Sequence, residues 1–343
     1  MTSWATKFAQ KILDDACEKN ASDIHFYPFF ENEKVAIFYR ILGKRQYIRS
    51  INMKTYESIL TYFKFASGMD IGEIRKPQNG TLPFINNDDE VFSLRLSTLP
   101  LRHTESMSIR LLPQDHELTL ENLFLFPNQL KKLKKWLNRS SGIILFTGAT
   151  GSGKSTTMYA LIESILKKKA FQVITLEDPV EKKIPNVLQV EINERAGITY
   201  QAGLKAALRH DPDILLIGEI RDEETAKFTI RAALTGHLVL STLHAKNAIG
   251  TIDRLIDLGV SRTELKQSLI GVISLELLPI ITKGKVRRRA AIGELLDEEY
   301  LLNVLENNKE LDKKYDTFHY LKEKAYTYGF ISKEIFEEIY EEK

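Results

Sequence analysis

The stretch Gly148-Ala149-Thr150-Gly151-Ser152-Gly153-Lys154-Ser155-Thr156 announces the chemistry of this chain. It has the form G-x-x-x-x-G-K-[ST], in which glycines let the backbone turn tightly and aim N–H groups inward as a cradle for phosphates. A helix starting directly behind the loop adds its positive dipole end. Lys154 has the reach to bridge β- and γ-phosphates, and Ser155 offers the hydroxyl that Mg²⁺ takes as a ligand in such loops. The motif predicts a site for a nucleoside triphosphate, ATP with Mg²⁺.

Hydrolysis requires an acid near those phosphates. In His210-Asp211-Pro212-Asp213-Ile214-Leu215-Leu216-Ile217-Gly218-Glu219 four apolar residues form a buried strand. Glu219 is predicted just past its C-terminal end, on a strand neighbouring the loop strand, where ligands bind in open α/β sheets. A glutamate there suits both activation of water and contact with the metal. Glu177, in Leu176-Glu177-Asp178-Pro179-Val180-Glu181, follows another apolar strand and is predicted to open onto the same crevice. Two of the seven histidines bracket a further strand. His244, at its C-terminal end, is placed to sense the γ-phosphate. His237 lies at the opposite end, so a direct role for it needs a neighbouring subunit or another domain. Neither position excludes an ordinary structural histidine.

The elements that must hold these residues follow from apolar patterning. Runs at 143–147, 171–176, 214–217 and 239–243 read as buried parallel strands alternating with helices, a doubly wound sheet. Upstream, Phe8, Ile12, Leu13 and Ala16 share one helical face that stops near Asn20, and 35–41 reads as a strand ending at Gly43. A helix carrying Tyr56, Ile59, Leu60, Phe63 and Phe65 precedes strands at 91–96 and 106–112. Pro113 and Pro127 bound a loop-like linker. The predicted domains are 1–112, linker 113–127, a P-loop core 128–275 and a helical, charged C-terminal extension 276–343. The run Lys131-Lys132-Leu133-Lys134-Lys135 before Trp136 reads best as a solvated helix face, with anionic lipid or an acidic partner as the other reading.

Composition bounds the rest. The 343 residues are 43% hydrophobic and carry 48 Lys and Arg against 46 Asp and Glu, which gives no general reason for a nucleic-acid coat. One cysteine, Cys17, excludes an internal disulfide and a Cys-based zinc cluster, and fits a reducing compartment. No apolar run approaches the roughly 20 residues of a membrane-spanning helix, and the N-terminus has no signal-peptide core. The expectation is a cytoplasmic protein whose membrane contact is peripheral.

These residues, taken together, resemble the secretion traffic ATPases that drive type II secretion, type IV pili and DNA-uptake machines. GATGSGKSTT is similar to the family's Walker A box, VITLEDPVE to its aspartate box, LRHDPDILLIGEIRDEETA to its Walker B box and AALTGHLVLSTLHAKNA to its histidine box. Ala21-Ser22-Asp23-Ile24-His25, Arg95-Leu96-Ser97-Thr98-Leu99-Pro100 and Ser108-Ile109-Arg110-Leu111-Leu112 are similar to its N-terminal signatures.

The resemblance implies a small PAS-like α/β domain followed by a RecA-like P-loop domain. It implies that Glu219 activates water and helps place Mg²⁺, that Glu177 supports catalysis, and that His237 and His244 belong to a sensor box. Arg95 and Arg110 match arginines that swing onto the phosphates, an arginine-finger device. His25 is expected to pack at a turn as a structural residue.

A homo-hexamer, a polytopic inner-membrane platform protein and, indirectly, pilin-like subunits are the implied partners, at the cytoplasmic face of the membrane. The family's tetracysteine zinc module and the retraction motors' C-terminal helix signature have no counterpart here. That places the chain nearest the Gram-positive competence branch, which assembles a DNA-uptake pseudopilus, with type IV pilus or type II secretion assembly next. A RecA-like DNA motor is disfavoured because no aromatic-lined basic patch is visible in the sequence. A non-hydrolysing nucleotide switch is the remaining alternative.

Overall fold

The computed structural model describes residues 4–29, 33–114, 120–282, 285–306 and 315–341. The chain divides into two compact units, Met1–His116 and Glu117–Lys343.

The first unit runs α1 (Trp4–Glu18), β1 (Ala21–Phe29), β2 (Lys34–Ile41), β3 (Lys44–Asn52), α2 (Met53–Ala66), β4 (Gln78–Ile85), β5 (Val91–Pro100) and β6 (Glu105–Pro113). The strands form one antiparallel sheet in the order β3-β2-β1-β6-β5-β4. Period-two alternation sends Ile24, Phe26, Ile37, Tyr39, Leu94 and Ile109 to a single face, where they pack with Ile12, Leu13, Ile59 and Phe63 of the two helices. Asn20, at φ 52, ends α1, and the Asn52 side chain caps α2 by accepting from the Thr55 N–H at 2.7 Å. Tyr39 ties sheet to helix, donating its buried hydroxyl to the Ile12 carbonyl at 3.0 Å.

Pairing brings together what the sequence separates. Arg95 stands directly opposite Arg110 across β5 and β6, and Arg110 Nε donates to Asp23 Oδ1 of β1 at 2.9 Å. His25 sits in the middle of β1 rather than at a turn, with Nδ1 3.1 Å from Ser108 Oγ. Burial pushes its pKa down, against the upward pull of Asp23. An arginine–aromatic cluster lies on this sheet. The Arg45 guanidinium lies 4.4 Å over the Phe38 ring and 5.1 Å over Tyr27, and Tyr47 meets Phe38 edge-on. Four residues on three strands make it, so no local run of sequence displays it.

The second unit contains α3 (Leu120–Leu123), α4 (Pro127–Trp136), β7 (Gly142–Thr147), α5 (Lys154–Leu166), β8 (Val173–Glu177), β9 (Val187–Glu191), α6 (Tyr200–Ala207), β10 (Ile214–Ile217), α7 (Glu223–Leu234) and β11 (Leu238–Thr242). There follow α8 (Ala248–Asp257), α9 (Arg262–Ser268), β12 (Leu269–Thr282), β13 (Lys285–Asp297), α10 (Glu298–Leu305), α11 (Phe318–Thr327) and α12 (Lys333–Glu341). Seven strands form one sheet in the order β13-β12-β7-β11-β10-β8-β9, parallel except for the β12–β13 pair. Every residue of β7, β8, β10 and β11 is buried, as expected for parallel strands covered on both faces.

Three expectations change here. The loop and Glu219 strands are not neighbours, because β11 lies between β7 and β10. The irregular linker is shorter than 113–127: Pro113 closes β6, and Leu120, Phe124, Leu125 and Phe126 are buried in the second unit. Residues 115–119 of that stretch lie outside the described ones. The segment after 275 is not wholly helical. A boundary there cuts through β12, and β12 with β13 extends the core sheet because their apolar residues fill both of its faces. In the charged tail, 307–314 and 342–343 also lie outside the described residues. Trp136 is no membrane anchor: it is 3% exposed and donates its indole N–H to Asp297 at 3.0 Å. In the basic run, Lys132 pairs with Asp297 at 3.0 Å and Lys134 with Glu121 at 2.8 Å.

The first unit also buries an ion pair. Lys64 Nζ meets Glu105 Oε2 at 2.6 Å and the Glu73 carbonyl at 2.7 Å, with both side chains shielded from water. Removing one partner strands a charge in a medium that solvates it poorly. Lys64→Ala should lower the stability of the full chain by about 3–5 kcal/mol in urea unfolding, whereas the double variant Lys64→Met, Glu105→Gln should lose far less. Equal losses would show that packing, not charge, decides this site.

Candidate functional site

The phosphate-binding loop leaves the sheet at Thr147 and re-enters regular structure at Lys154. Its shape depends on Gly148, at φ 131, where a Cβ would stand 2.5 Å from the Leu275 carbonyl oxygen and 2.8 Å from Ser152 Oγ. Only glycine meets both demands. Lys154 folds back over the loop and donates to the carbonyls of Gly148 at 2.8 Å and Ala149 at 3.0 Å. Burial pushes its pKa down, while the carboxylates of Glu219 and Glu181 pull it back up. An ammonium desolvated in this way, held by neutral carbonyls, favours an incoming anion. Ser152 Oγ is buried with no hydrogen-bond partner among the described residues, and Ser155 occupies the first turn of α5.

Glu219 follows β10 at the C-terminal edge of the sheet. Its Oε2 accepts from Arg221 Nε at 2.6 Å, and its Oε1 lies 3.2 Å from His244 Nε2. Arg221 Nη1 continues to Asp178 Oδ2 at 3.4 Å, and the Glu219 carboxylate holds the Arg221 pKa up. A chain His244–Glu219–Arg221–Asp178 therefore spans the ends of three strands, β11, β10 and β8. Side chains just below lock those ends. Thr242 Oγ1 donates to the Gly218 carbonyl at 2.6 Å, Ser241 Oγ to the Ile217 carbonyl at 2.7 Å, and the Ala245 N–H to Thr147 Oγ1 at 3.0 Å.

Glu177 is placed differently from expectation. It ends β8 but is only 4% exposed. Thr175 Oγ1 donates to its Oε1 at 2.5 Å, Gln189 Nε2 to the same oxygen at 3.2 Å, and the Tyr159 hydroxyl to Oε2. Its carboxylate thus faces an internal network that joins α5 to β8 and β9, and the next residue, Asp178, is the one that reaches the Glu219 group. His237 is not brought to the crevice. It sits at the opposite edge of the sheet, with Nδ1 3.0 Å from the Ala232 carbonyl and its own carbonyl accepting from the Gly142 N–H. The five residues of β11, about 16 Å at strand rise, and Leu243 lie between the two histidines.

Arg95 and Arg110 belong to the first unit's sheet. Arg221, Asp178, Tyr159 and Thr175 were not singled out as site residues from the sequence. Arg221, Asp178 and Thr175 lie inside boxes already identified, whereas Tyr159 lies outside them.

Hard oxygen donors suit Mg²⁺: the Ser155 hydroxyl and the Glu219 carboxylate are of the right type, and such sites draw further ligands from phosphates and water. Among the described residues no group of three His, Cys, Asp or Glu side chains is arranged to hold a metal by itself.

Comparison with known proteins adds to this geometry. The family model described as "Type II/IV secretion system protein" matches residues 2–315. The chain is 41% identical to the competence protein ComGA of Halalkalibacterium halodurans, covering 94% of this chain and 95% of that one. It is 38% identical to the type IV pilus assembly ATPase PilB of Thermus thermophilus, over 80% of this chain and 31% of that one. Among solved structures, the pilus retraction motor PilT with bound ADP superposes with a TM-score of 0.69 at 30% identity, covering 96% of both chains.

Two substitutions probe the local geometry. Gly148→Ala should weaken nucleotide binding at least about tenfold, since the added methyl forces the loop out of a left-handed conformation costing about 1–3 kcal/mol for other residues. Tyr159→Phe should destabilise the chain by about 1–3 kcal/mol by leaving the Glu177 carboxylate short of a donor, measurable by thermal unfolding. An unchanged melting temperature would mean that the hydroxyl contributes nothing to this network.

Proposed function

The chain belongs to the family of type II/IV secretion system proteins, and from that premise we propose that it is the ATP-hydrolysing motor of a competence pseudopilus, the device that brings DNA into the cell. The observation that carries this reading is the pairing of Glu219 with His244 and Arg221 at the sheet edge that also holds the phosphate loop. Similarity to a competence protein along nearly the whole chain supports the pathway.

The chain's own residues supply the steps. Backbone N–H groups of 148–153 and the start of α5 receive the phosphates, which replace the Gly148 and Ala149 carbonyls on Lys154. Ser155 and Glu219 would hold Mg²⁺, which when bound would neutralise charge developing on the phosphate oxygens. Glu219 takes the proton of the attacking water. Arg221 and His244 fix the direction of its carboxylate, and His244 responds to loss of the γ-phosphate because it shares that carboxylate. Glu177 acts as a positioning residue, keeping the phosphate-loop helix in register with β8.

Arg95 and Arg110 neutralise phosphate charge when nucleotide is bound. Arg110 must exchange Asp23 for phosphate, so the swing costs one ion pair and gains another. His237, at the far edge of the sheet, acts toward a neighbouring subunit.

In this proposal the motor works as a homo-hexamer on the cytoplasmic face of the membrane. It acts against a polytopic platform protein and through it on pilin-like subunits, without touching nucleic acid itself. No helix among the described residues is long and apolar enough to cross a membrane. Similarity to PilB over 80% of the chain favours assembly of a type IV pilus as the second reading.

The test is replacement of the gene in its own host by alleles encoding Lys154→Ala and Arg95→Ala. Lys154→Ala should reduce both DNA uptake and surface pseudopilus to the level of a deletion strain. Arg95→Ala should leave nucleotide affinity within a few-fold while lowering turnover about 10³-fold, as loss of an arginine finger does. Normal transformation with Lys154→Ala would overturn the motor reading. ATP hydrolysis that rises on addition of DNA alone would favour a DNA motor instead.

A further inference from the structure

The second unit buries a carboxylate that no step of the mechanism uses. Glu294 lies on β13 and is 7% exposed. Pairing sets it opposite Ser274 of β12, and Ser274 opposite Thr147, the last residue of β7 before the phosphate loop. Partners across a sheet share a face, so these three polar side chains form one row. Two residues away on the same face the sheet is apolar. Leu145, Val272 and Leu296 pair there and pack with Ile252 and Leu255 of α8. A carboxylate is costly to hold in such surroundings unless hydrogen bonds compensate it.

Two helix starts supply the compensation. The N–H of Phe318, first residue of α11, donates to Glu294 Oε1 at 2.8 Å. Burial pushes the Glu294 pKa up, and the backbone N–H groups of Phe318 and of Ala248, first residue of α8, pull it back. Side-chain caps serve other donors of the same two helices. Asn247 accepts from the Gly250 N–H at 2.8 Å and Thr317 from the Tyr320 N–H at 3.3 Å, which leaves the first N–H of each helix to the carboxylate. Loop 243–247, which carries His244 from β11 to α8, is thus held along its length. The Leu243 N–H donates to the Phe146 carbonyl at 3.0 Å. Thr147 Oγ1 accepts from the Ala245 N–H at 3.0 Å and donates to the Ala245 carbonyl at 3.3 Å. Glu294 stands where the loop enters α8.

We propose that Glu294 is a positioning residue for hydrolysis: by holding the start of α8 it keeps His244 on Glu219, and through Phe318 it ties that imidazole to the C-terminal helix α11. The proposal rests on reading His244 and Glu219 as parts of the hydrolytic site. It explains why a carboxylate occupies a face that is otherwise apolar. It also gives α11, which lies outside every sequence motif of the chain, a mechanical connection to the group that meets the phosphates.

A double-mutant cycle on ATP hydrolysis by the full chain separates positioning from mere structure. Glu294→Gln, which keeps the shape and loses the charge, should lower kcat about tenfold with KM within about twofold of wild type. His244→Ala should lower kcat at least as far. Added to His244→Ala, Glu294→Gln should cost less than about a further twofold, because the group it positions is gone. Hydrogen exchange in Glu294→Gln should quicken at 243–250 and 316–321 and stay as in wild type at 214–217. Losses in kcat that multiply in the double variant would overturn the proposal, as would exchange quickened throughout the second unit or wild-type kcat in Glu294→Gln. Unchanged kcat in His244→Ala would instead refute the reading of the hydrolytic site on which the proposal stands.

Discussion

Parallel pairing of β7, β11 and β10 is the constraint on which the site depends. Because these three strands run the same way in fixed register, Thr147, Thr242 and Ile217 end at one edge, and whatever follows each must lie side by side. The phosphate loop, His244 and Glu219 are those continuations. Hydrogen bonds donated by Ser241 and Thr242, and one that Thr147 accepts from the Ala245 N–H, close the strand ends. A slip of one residue would turn the buried Ser241 to the other face and carry His244 away from Glu219. Burial of the strands on both faces makes such a slip costly, so the apolar core enforces the geometry of a polar edge.

The charges at that edge are arranged before substrate arrives. Lys154 is desolvated and held only by carbonyls, and Glu219 is oriented by a guanidinium on one oxygen and an imidazole on the other. Preorganised groups of this kind need little rearrangement when charge develops during phosphoryl transfer, which is where most of their catalytic effect arises. The same arrangement makes the site responsive. In the proposed mechanism a carboxylate shared among His244, Arg221 and Mg²⁺ would not satisfy all three in the same way before and after cleavage, so the strand ends would receive a signal of nucleotide state.

Much of this was legible in the sequence because the informative residues are contiguous. The loop 148–156 spells its own turn geometry, and the apolar runs before Glu219 and His244 identify buried strands and hence the edge at which each residue emerges. What escaped was whatever depends on contacts between distant segments. That β11 separates β7 from β10 is a matter of strand order, which no local pattern encodes. Glu177 reads as a crevice acid until Tyr159, from the helix behind the phosphate loop, and Thr175, two residues before it, turn it inward. The Arg45–Phe38–Tyr27 cluster arises from neighbours across a sheet. The length of β12 was hidden by Glu276 and Pro279, which interrupt an apolar run while the antiparallel pairing with β13 continues past both.

The central claim is that Glu219, held between Arg221 and His244, is the group that makes water attack the bound triphosphate. The direct measurement is a single-turnover experiment with saturating Mg-ATP on wild type and Glu219→Gln, recording binding and cleavage separately. The account predicts affinity within a few-fold of wild type and cleavage slowed at least about 100-fold, as expected for loss of a general base. Cleavage at the wild-type rate by Glu219→Gln would contradict it.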